Sequence, residues 1–247
     1  MKILVIIPAR GGSKGIPHKN IKPLNGKPLI HRTIDVARQI VADMDICVST
    51  DDAEIIQCVE DYGLQVPFVR PAELATDTAG TYEVLLHALR FYEEQGRKHD
   101  VILLLQNTSP FRTAKQVKEA LALYKPDLDM VVSVKECSAN PYYCVFEENE
   151  EGYLHVCKGE GNIIRRQDAP KVYEYNGAIY VINPESLKKM PLNKFGHRVK
   201  YVMDEQSSLD LDTMADWHLA EMLIGAVGGA ILLLRDRPQY LRNRAAA

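Results

Sequence analysis

Short apolar runs rich in β-branched residues recur along this chain, separated by stretches with a helical repeat. That alternation restricts the fold more than any other feature. "KILVIIP" at 2–8, "DICVST" at 45–50, "VPFV" at 66–69, "DVILLLQ" at 100–106 and "MVVSV" at 130–134 are too short for helices and read as buried strands. Between them, Leu29, Ile30, Ile34, Ala37 and Ile40 fall on one helical face, and "DAEIIQCVEDYG" closes on its glycine. Further helices are expected from Thr78 to about Gln95 and over "TAKQVKEALALY" at 113–124. Such alternation predicts an α/β fold, a doubly wound, mostly parallel sheet with helices on both faces. Ligands of these sheets sit beyond the carboxyl ends of the strands. "PARGGSKGIPHKN", "STDD", "VRPAELATDTAG" and "QNTSPFR" all lie there.

The alternation lapses between about Cys137 and Tyr175, where "NPYYCVFEENEEGYLHVCKG" places aromatic and β-branched residues on either side of an acidic turn. This predicts a β-hairpin excursion from the main sheet. Strands "GAIYVI" and "RVKYVM" follow, and then a helix beginning near Thr213. "MLIGAVGGAILLL" at 222–234 is too short to span a bilayer, so a buried helix end or an oligomer contact is expected, with no membrane role. The terminal "RDRPQYLRNRAAA" is expected to fray. The chain thus divides into a domain at 1–224, including the excursion at 137–175, and an extension at 225–247.

The stretch from 8 to 20 combines glycines, prolines and basic side chains immediately after the first strand. Eight Lys or Arg residues and a single acid, Asp35, fall within residues 1–38, although the chain as a whole carries a net charge of −3. The overall balance excludes general nucleic-acid binding through a basic surface. A local cationic patch points instead to a small anionic ligand. The loop contains neither a Walker A pattern nor G-x-G-x-x-G. Its glycines still let backbone N–H groups converge on an anion, and Arg10, Lys14 and Lys19 add charge suited to a polyphosphate. The five cysteines form no C-x-x-C pair and the histidines lack metal-ligand spacing. Reduced thiols and the absence of a visible targeting segment place the expectation in the cytoplasm.

In "SSLDLDTMAD", Asp210 and Asp212 alternate with apolar residues. An extended backbone would put both carboxylates on one face, and an oxygen pair of this kind suits Mg²⁺. Asp212 and Thr213, which precede "MADWHLAEMLI", also fit the N-terminal cap of that helix. A basic glycine-rich loop together with a carboxylate pair points to nucleotidyl transfer, the loop neutralising a triphosphate and the metal aligning the reacting phosphate.

With "PARGGSKGIPHKN", "RPAELATDTAGT", "LLLQNTSPFRT", "RRQDAPKVYEYNGAIYV" and "LDLDT" in that order, the chain resembles the acylneuraminate cytidylyltransferase family over about residues 3–224. The resemblance implies a Rossmann-like nucleotidyltransferase fold with a small β-hairpin dimerisation excursion. It also implies that the anomeric hydroxyl of a 2-keto sugar acid attacks the α-phosphate of CTP, releasing pyrophosphate. By matching position, Ala9, Arg10, Ser13, Lys14, Lys19, Asn20, Arg70, Ala79 and Thr81 would bind the nucleotide. Gln106, Arg166, Asn176 and Tyr180 would face the sugar, and Asp210 and Asp212 would hold Mg²⁺. Arg10, Lys14, Lys19 and the two aspartates would serve the chemistry, in a homodimer whose partners are CTP and a sialic-type sugar acid. The loop reads "SKGIPHKN" rather than the R-L-P-G-K-P-L usual in the related CMP-Kdo synthetases, which remain the alternative alongside an inactive nucleotide-binding module. Asn107, Tyr143 and Glu174 depart from the sialic-acid pattern, so the resemblance leaves the sugar open.

Overall fold

Side chains alternate across β1 (Ile3–Pro8): Val5 and Ile7 enter one buried apolar cluster, Leu4 and Ile6 another on the opposite side of the sheet. A strand apolar on both faces must be covered on both, and that is how the chain is built. The computed structural model describes residues 1–76 and 79–235, with side chains to residue 225. After β1, the short strands β2 (Pro23–Leu24) and β3 (Lys27–Pro28) pair with each other and lead into α1 (Leu29–Arg38). Then come β4 (Ile46–Ser49), α2 (Ala53–Asp61), α3 (Thr81–Glu94), β5 (Val101–Leu104), α4 (Ala114–Ala122) and β6 (Met130–Glu136). A hairpin of β7 (Phe146–Glu148) and β8 (Leu154–Val156) precedes β9 (Tyr173–Ile182), α5 (Pro184–Lys189), β10 (Arg198–Val202) and α6 (Met214–Arg235).

The main sheet has the order β10-β6-β9-β5-β1-β4. Its strand pairs are parallel except those of β9, which runs antiparallel to both β5 and β6. Ile30, Ile34, Val59 and Val117 bring α1, α2 and α4 onto one face; Leu85, Leu89 and Leu187 bring α3 and α5 onto the other. Burying each such side chain stabilises the fold by about 1.5–3 kcal/mol before entropy is counted. The doubly wound prediction therefore holds.

Several local expectations change. "VPFV" forms no strand: only Val69 makes an isolated bridge, to Thr50. Pro67 has no N–H to donate to a ladder. The helix expected from Thr78 begins at Thr81, with Gly80 as its cap. The hairpin forms as expected, Phe146 opposite Val156, but residues 173–175 belong to the main sheet, where Tyr173 pairs with Glu136. α6 continues without a break past residue 225, so the extension begins within a helix. Met222, in its apolar stretch, is 72% exposed. Among the described residues no helix is long and apolar enough to cross a membrane. Residues 236–247, where fraying was expected, lie outside the described residues.

A third apolar cluster sets up the site. Ile16, Leu24 and Leu29 from the beginning of the chain pack with Leu211, Trp217 and Ala220 from near its end. This clamps the basic loop against the segment carrying the two aspartates.

Candidate active site

The basic loop is held from below and aimed from one side. The Ala9 N–H donates to the Ser49 carbonyl at 2.9 Å, tying the end of β1 to β4. The Gly11 N–H donates to Asp51 Oδ1 at 3.1 Å, and Arg10 Nη1 donates to the Thr76 carbonyl at 3.1 Å. Ser13, with Gly11, Gly12 and Asn20, lines a hollow of about 190 Å³ beneath the loop. Lys14 is exposed on the loop's crest. The Asn20 side chain points inward rather than toward open solvent. Its Nδ2 donates to the Arg10 carbonyl at 2.8 Å, and its Oδ1 accepts from Asn107 Nδ2 at 2.8 Å. Asn107 in turn accepts from Thr33 Oγ1, and Thr33 accepts from Arg112 Nη2. Arg112 closes this buried chain on the carbonyls of Gln106 and Ala178, and burial pushes its pKa down to about 9. Asn20 thus fixes the loop's path from within.

Lys19 faces the aspartates. Its Nζ donates to the Leu211 carbonyl at 2.6 Å and lies 3.5 Å from Asp212 Oδ1. The Leu211 N–H donates to the Thr108 carbonyl at 2.9 Å, which locks this segment to the loop after β5. With Leu211 fully buried in the third cluster, Asp210 and Asp212 are left on the other side of an extended backbone. Gly15 approaches the Asp212 carbonyl so closely that a Cβ would overlap it. Burial, and secondarily the nearby Asp212 charge, raises the Asp210 pKa, opposed by a bond from Thr108 and by Lys19. Asp210 Oδ1 is buried without a hydrogen-bond partner. That orphaned oxygen, beside a second carboxylate and among oxygen donors, fits a hard divalent cation that keeps waters or phosphate oxygens as its other ligands. Among the described residues no group of three or more acidic, His or Cys side chains forms a closed metal cage.

The capping alternative for Asp212 falls away. Thr213 caps α6: its Oγ1 accepts the Asp216 N–H at 3.3 Å, and Asp216 Oδ2 accepts the Thr213 N–H at 2.7 Å. This is a reciprocal capping box. The Asp212 side chain is 74% exposed and is left to the site.

Next to the aspartates opens a cleft of about 510 Å³ lined by Thr81, Gln106, Tyr175, Tyr180 and Arg198. Burial raises the Tyr180 pKa to about 12, Tyr175 and Asp210 adding to the rise and a bond with Gln106 opposing it. Gly177, at φ +74, leaves ordinary contact room for Asp210 and Gln106. Arg70 is buried at the end of β4, its Nε donating to Ser49 Oγ at 3.0 Å and its Nη2 to the Ser49 carbonyl; burial lowers its pKa. The Ala79 N–H turns back onto Thr76 Oγ1 at 3.1 Å.

Two expected sugar residues lie outside the lining of this cleft. Asn176 accepts from Ser133 Oγ at 2.6 Å and donates to Ser208 Oγ at 2.9 Å, so its amide pins the turn before the aspartates, and with Asp210 and Asp212 it lines a second cleft of about 580 Å³. It lies where the register shifts, residues 176–179 of β9 standing against Ser133 alone between Val132 and Val134. Arg166 sits in a short 3₁₀ turn of the excursion and does not line the cleft.

Loop cations, a carboxylate pair and an adjoining cleft at the strand ends form an arrangement suited to a polyphosphate and to nucleotidyl transfer. Residues 4–212 match the family described as cytidylyltransferase, and the chain belongs to that family of nucleotidyltransferases. It is 35% identical over 228 residues to the CMP-N,N'-diacetyllegionaminic acid synthase of Legionella pneumophila, covering 91% of this chain and 97% of that one. It is 38% identical over 221 residues to the N-acylneuraminate cytidylyltransferase of Streptococcus agalactiae, covering 88% of this chain and 52% of the relative, so it spans about half that protein's length. The fold superposes on a CMP:2-keto-3-deoxy-manno-octonic acid synthetase complexed with CTP, with a TM-score of 0.67 at 20% identity over 92% of this chain and 99% of the other.

Some residues that build the site carried no expectation. Thr108 holds the aspartate segment, Gly15 permits its approach, and Arg112 braces two backbone carbonyls and the Thr33 side chain from within. Arg112 stands in the quoted "SPFRT" run, and its lack of any solvent-facing role became visible only with its burial.

Proposed function

We propose that this cytidylyltransferase transfers CMP from CTP to the anomeric hydroxyl of a nonulosonic, sialic-type sugar acid, with Mg²⁺ and release of pyrophosphate. The observation that carries the reading is Lys19 set 3.5 Å from Asp212 and close enough to act on Asp210, which adjoins Gln106 of the cleft across Gly177. In this reading Arg10, Ser13, Lys14 and Lys19 receive the triphosphate, and the loop's backbone N–H groups add to its field. Arg70, Ala79 and Thr81 receive the cytidine. Gln106 and Tyr180 orient the sugar acid, while Asn20 and Asn176 act from within by positioning the loop and the aspartate segment. Asp210 and Asp212 would hold Mg²⁺, which when bound offsets phosphate charge and polarises the α-phosphate. Curated relatives named for legionaminic, N-acylneuraminic and pseudaminic acids support a nine-carbon acid over the eight-carbon alternative.

The same reading makes the protein a cytoplasmic homodimer. Phe146, Tyr153, Leu154 and Ile164 are more than half exposed on the excursion, an apolar surface suited to a second copy. Arg166 would then act across the interface. The described cysteines are all free, in keeping with a reducing compartment.

Pyrophosphate release from CTP with a panel of 2-keto-3-deoxy sugar acids tests the function. Release with a nine-carbon acid, lost in EDTA and restored by Mg²⁺, is expected. Release with an eight-carbon acid alone, or with no acid, would refute it.

A further inference from the structure

The cleft beside the aspartates has a chemically distinct far end. Among the described residues lining it, Arg198 is the only cation and Glu83 the only anion. Arg198 opens β10, opposite Met130 of β6; Met130 lies opposite Ile182 of β9, and Ile182 opposite Ile102 of β5. Gln106 follows four residues after Ile102 in the strand direction. At about 3.3 Å per residue along strands and 4.8 Å between them, the backbones of Arg198 and Gln106 are roughly 20 Å apart. Their side chains nevertheless line one cleft. The guanidinium is braced over it, Nη1 donating to Tyr175 Oη at 3.0 Å. It makes no ion pair with a carboxylate among the described residues, whereas Lys135 on the adjoining strand β6 lies within 3.4 Å of Glu174 and 3.6 Å of Glu205.

The chemistry of the acid decides what this cation meets. In a 2-keto sugar acid the carboxylate is attached to the carbon that bears the reacting hydroxyl. It must therefore lie at the Asp210 and Gln106 end, out of reach of Arg198. What remains for the far end is the substituted tail of the sugar. A guanidinium has five N–H donors and no acceptor. It complements an oxygen that only accepts, such as an acyl carbonyl, better than a hydroxyl that must also donate.

We propose that Arg198, oriented by Tyr175, is a specificity-determining residue that binds the acyl carbonyl of an acylamido substituent on the sugar acid, remote from the reacting centre. The assignment deepens the function proposed above and rests on it.

The test is steady-state kinetics of pyrophosphate release on the full chain. Two nonulosonic acids are compared, identical except that one carries an acetamido group where the other carries a hydroxyl. Wild type prefers the acetamido acid. Arg198→Ala raises KM for that acid by about 10- to 100-fold, the range for losing a charged hydrogen bond, and leaves KM for CTP unchanged. The hydroxyl acid is barely affected, so the preference collapses. Tyr175→Phe, which keeps the ring and removes the brace, gives a smaller loss in the same direction. Melting curves check that each variant is folded, and Arg198→Met, which keeps the apolar stem, replaces Arg198→Ala if that variant is unstable. Equal effects on both acids, or none on either, overturn the role of Arg198 while leaving the function standing. A wild type that turns over neither these acids nor any other nonulosonic acid overturns the function itself, and this assignment with it.

Discussion

Replacing Asp210 by asparagine is expected to stabilise the fold while it abolishes turnover. The carboxylate is half-buried, one oxygen has no partner, and its pKa is raised chiefly by burial and further by Asp212. An ionised group in that position opposes folding. A carboxyl whose folded pKa exceeds its unfolded value contributes full stability below the unfolded value and loses it as pH rises through the folded one. Asparagine keeps the shape and carries no charge to desolvate. An unsatisfied buried polar group costs about 1–3 kcal/mol. Asparagine relieves only the charged part, because its own amide is also buried, leaving a gain on the order of 1 kcal/mol. In a chain of this size that corresponds to a Tm increase of roughly 2–4 °C. The assay is a pair of thermal melts, wild type and Asp210→Asn, from pH 3 to pH 8 without divalent cations. The gain is nil in acid, grows through the raised pKa and is constant above it. Turnover falls at least about 100-fold, as when a group that stabilises transition-state charge is removed. An asparagine variant less stable than wild type at neutral pH, or one with near-normal turnover, would refute the reasoning.

Two further comparisons separate function from structure. Asp212→Asn leaves stability within about 0.5 kcal/mol of wild type but collapses turnover, whereas Thr213→Ala, which removes the true cap, costs about 1 kcal/mol and retains turnover. The reverse pattern in melts and pyrophosphate release would return Asp212 to a capping role. At Gly15 an added Cβ would overlap the Asp212 carbonyl, while at Gly12 nothing lies within 4 Å. Gly15→Ala therefore lowers Tm and Gly12→Ala does not; equal melts would show that the loop and the aspartate segment do not touch in solution.

The strand and helix order was legible because period-2 and period-3.6 patterns report which elements are buried. They do not report direction. "GAIYVI" reads as a strand, but nothing in its spacing says that β9 runs against both neighbours. Charge and glycine content made the basic loop legible, and the alternation in "LDLD" exposed the carboxylate pair. The choice between metal site and cap was open at Asp212 itself, yet the deciding signal stood one residue on: Thr213 and Asp216 have capping-box spacing. Asn20 and Asn176 were harder. A polar side chain in a motif can face a ligand or satisfy buried partners, and only the three-dimensional neighbours, Asn107 for one and Ser133 with Ser208 for the other, distinguish these.

The cluster joining Ile16, Leu24 and Leu29 to Leu211, Trp217 and Ala220 also orders events in time. Synthesis delivers Lys19 early and, 192 positions later, Leu211. The last strand of the main sheet closes at Val202, before either aspartate has been made. A nascent chain can thus assemble its entire sheet without the two carboxylates proposed to hold the metal, with the apolar underside of its loop still uncovered. A release after Val202 would yield a folded but inert product, recognisable by that exposed patch and by the absence of any Mg²⁺·CTP effect on its melting. The cluster closes only once Trp217 and Ala220 have left the ribosome and docked, so a nascent chain gains the proposed site after its sheet and not with it.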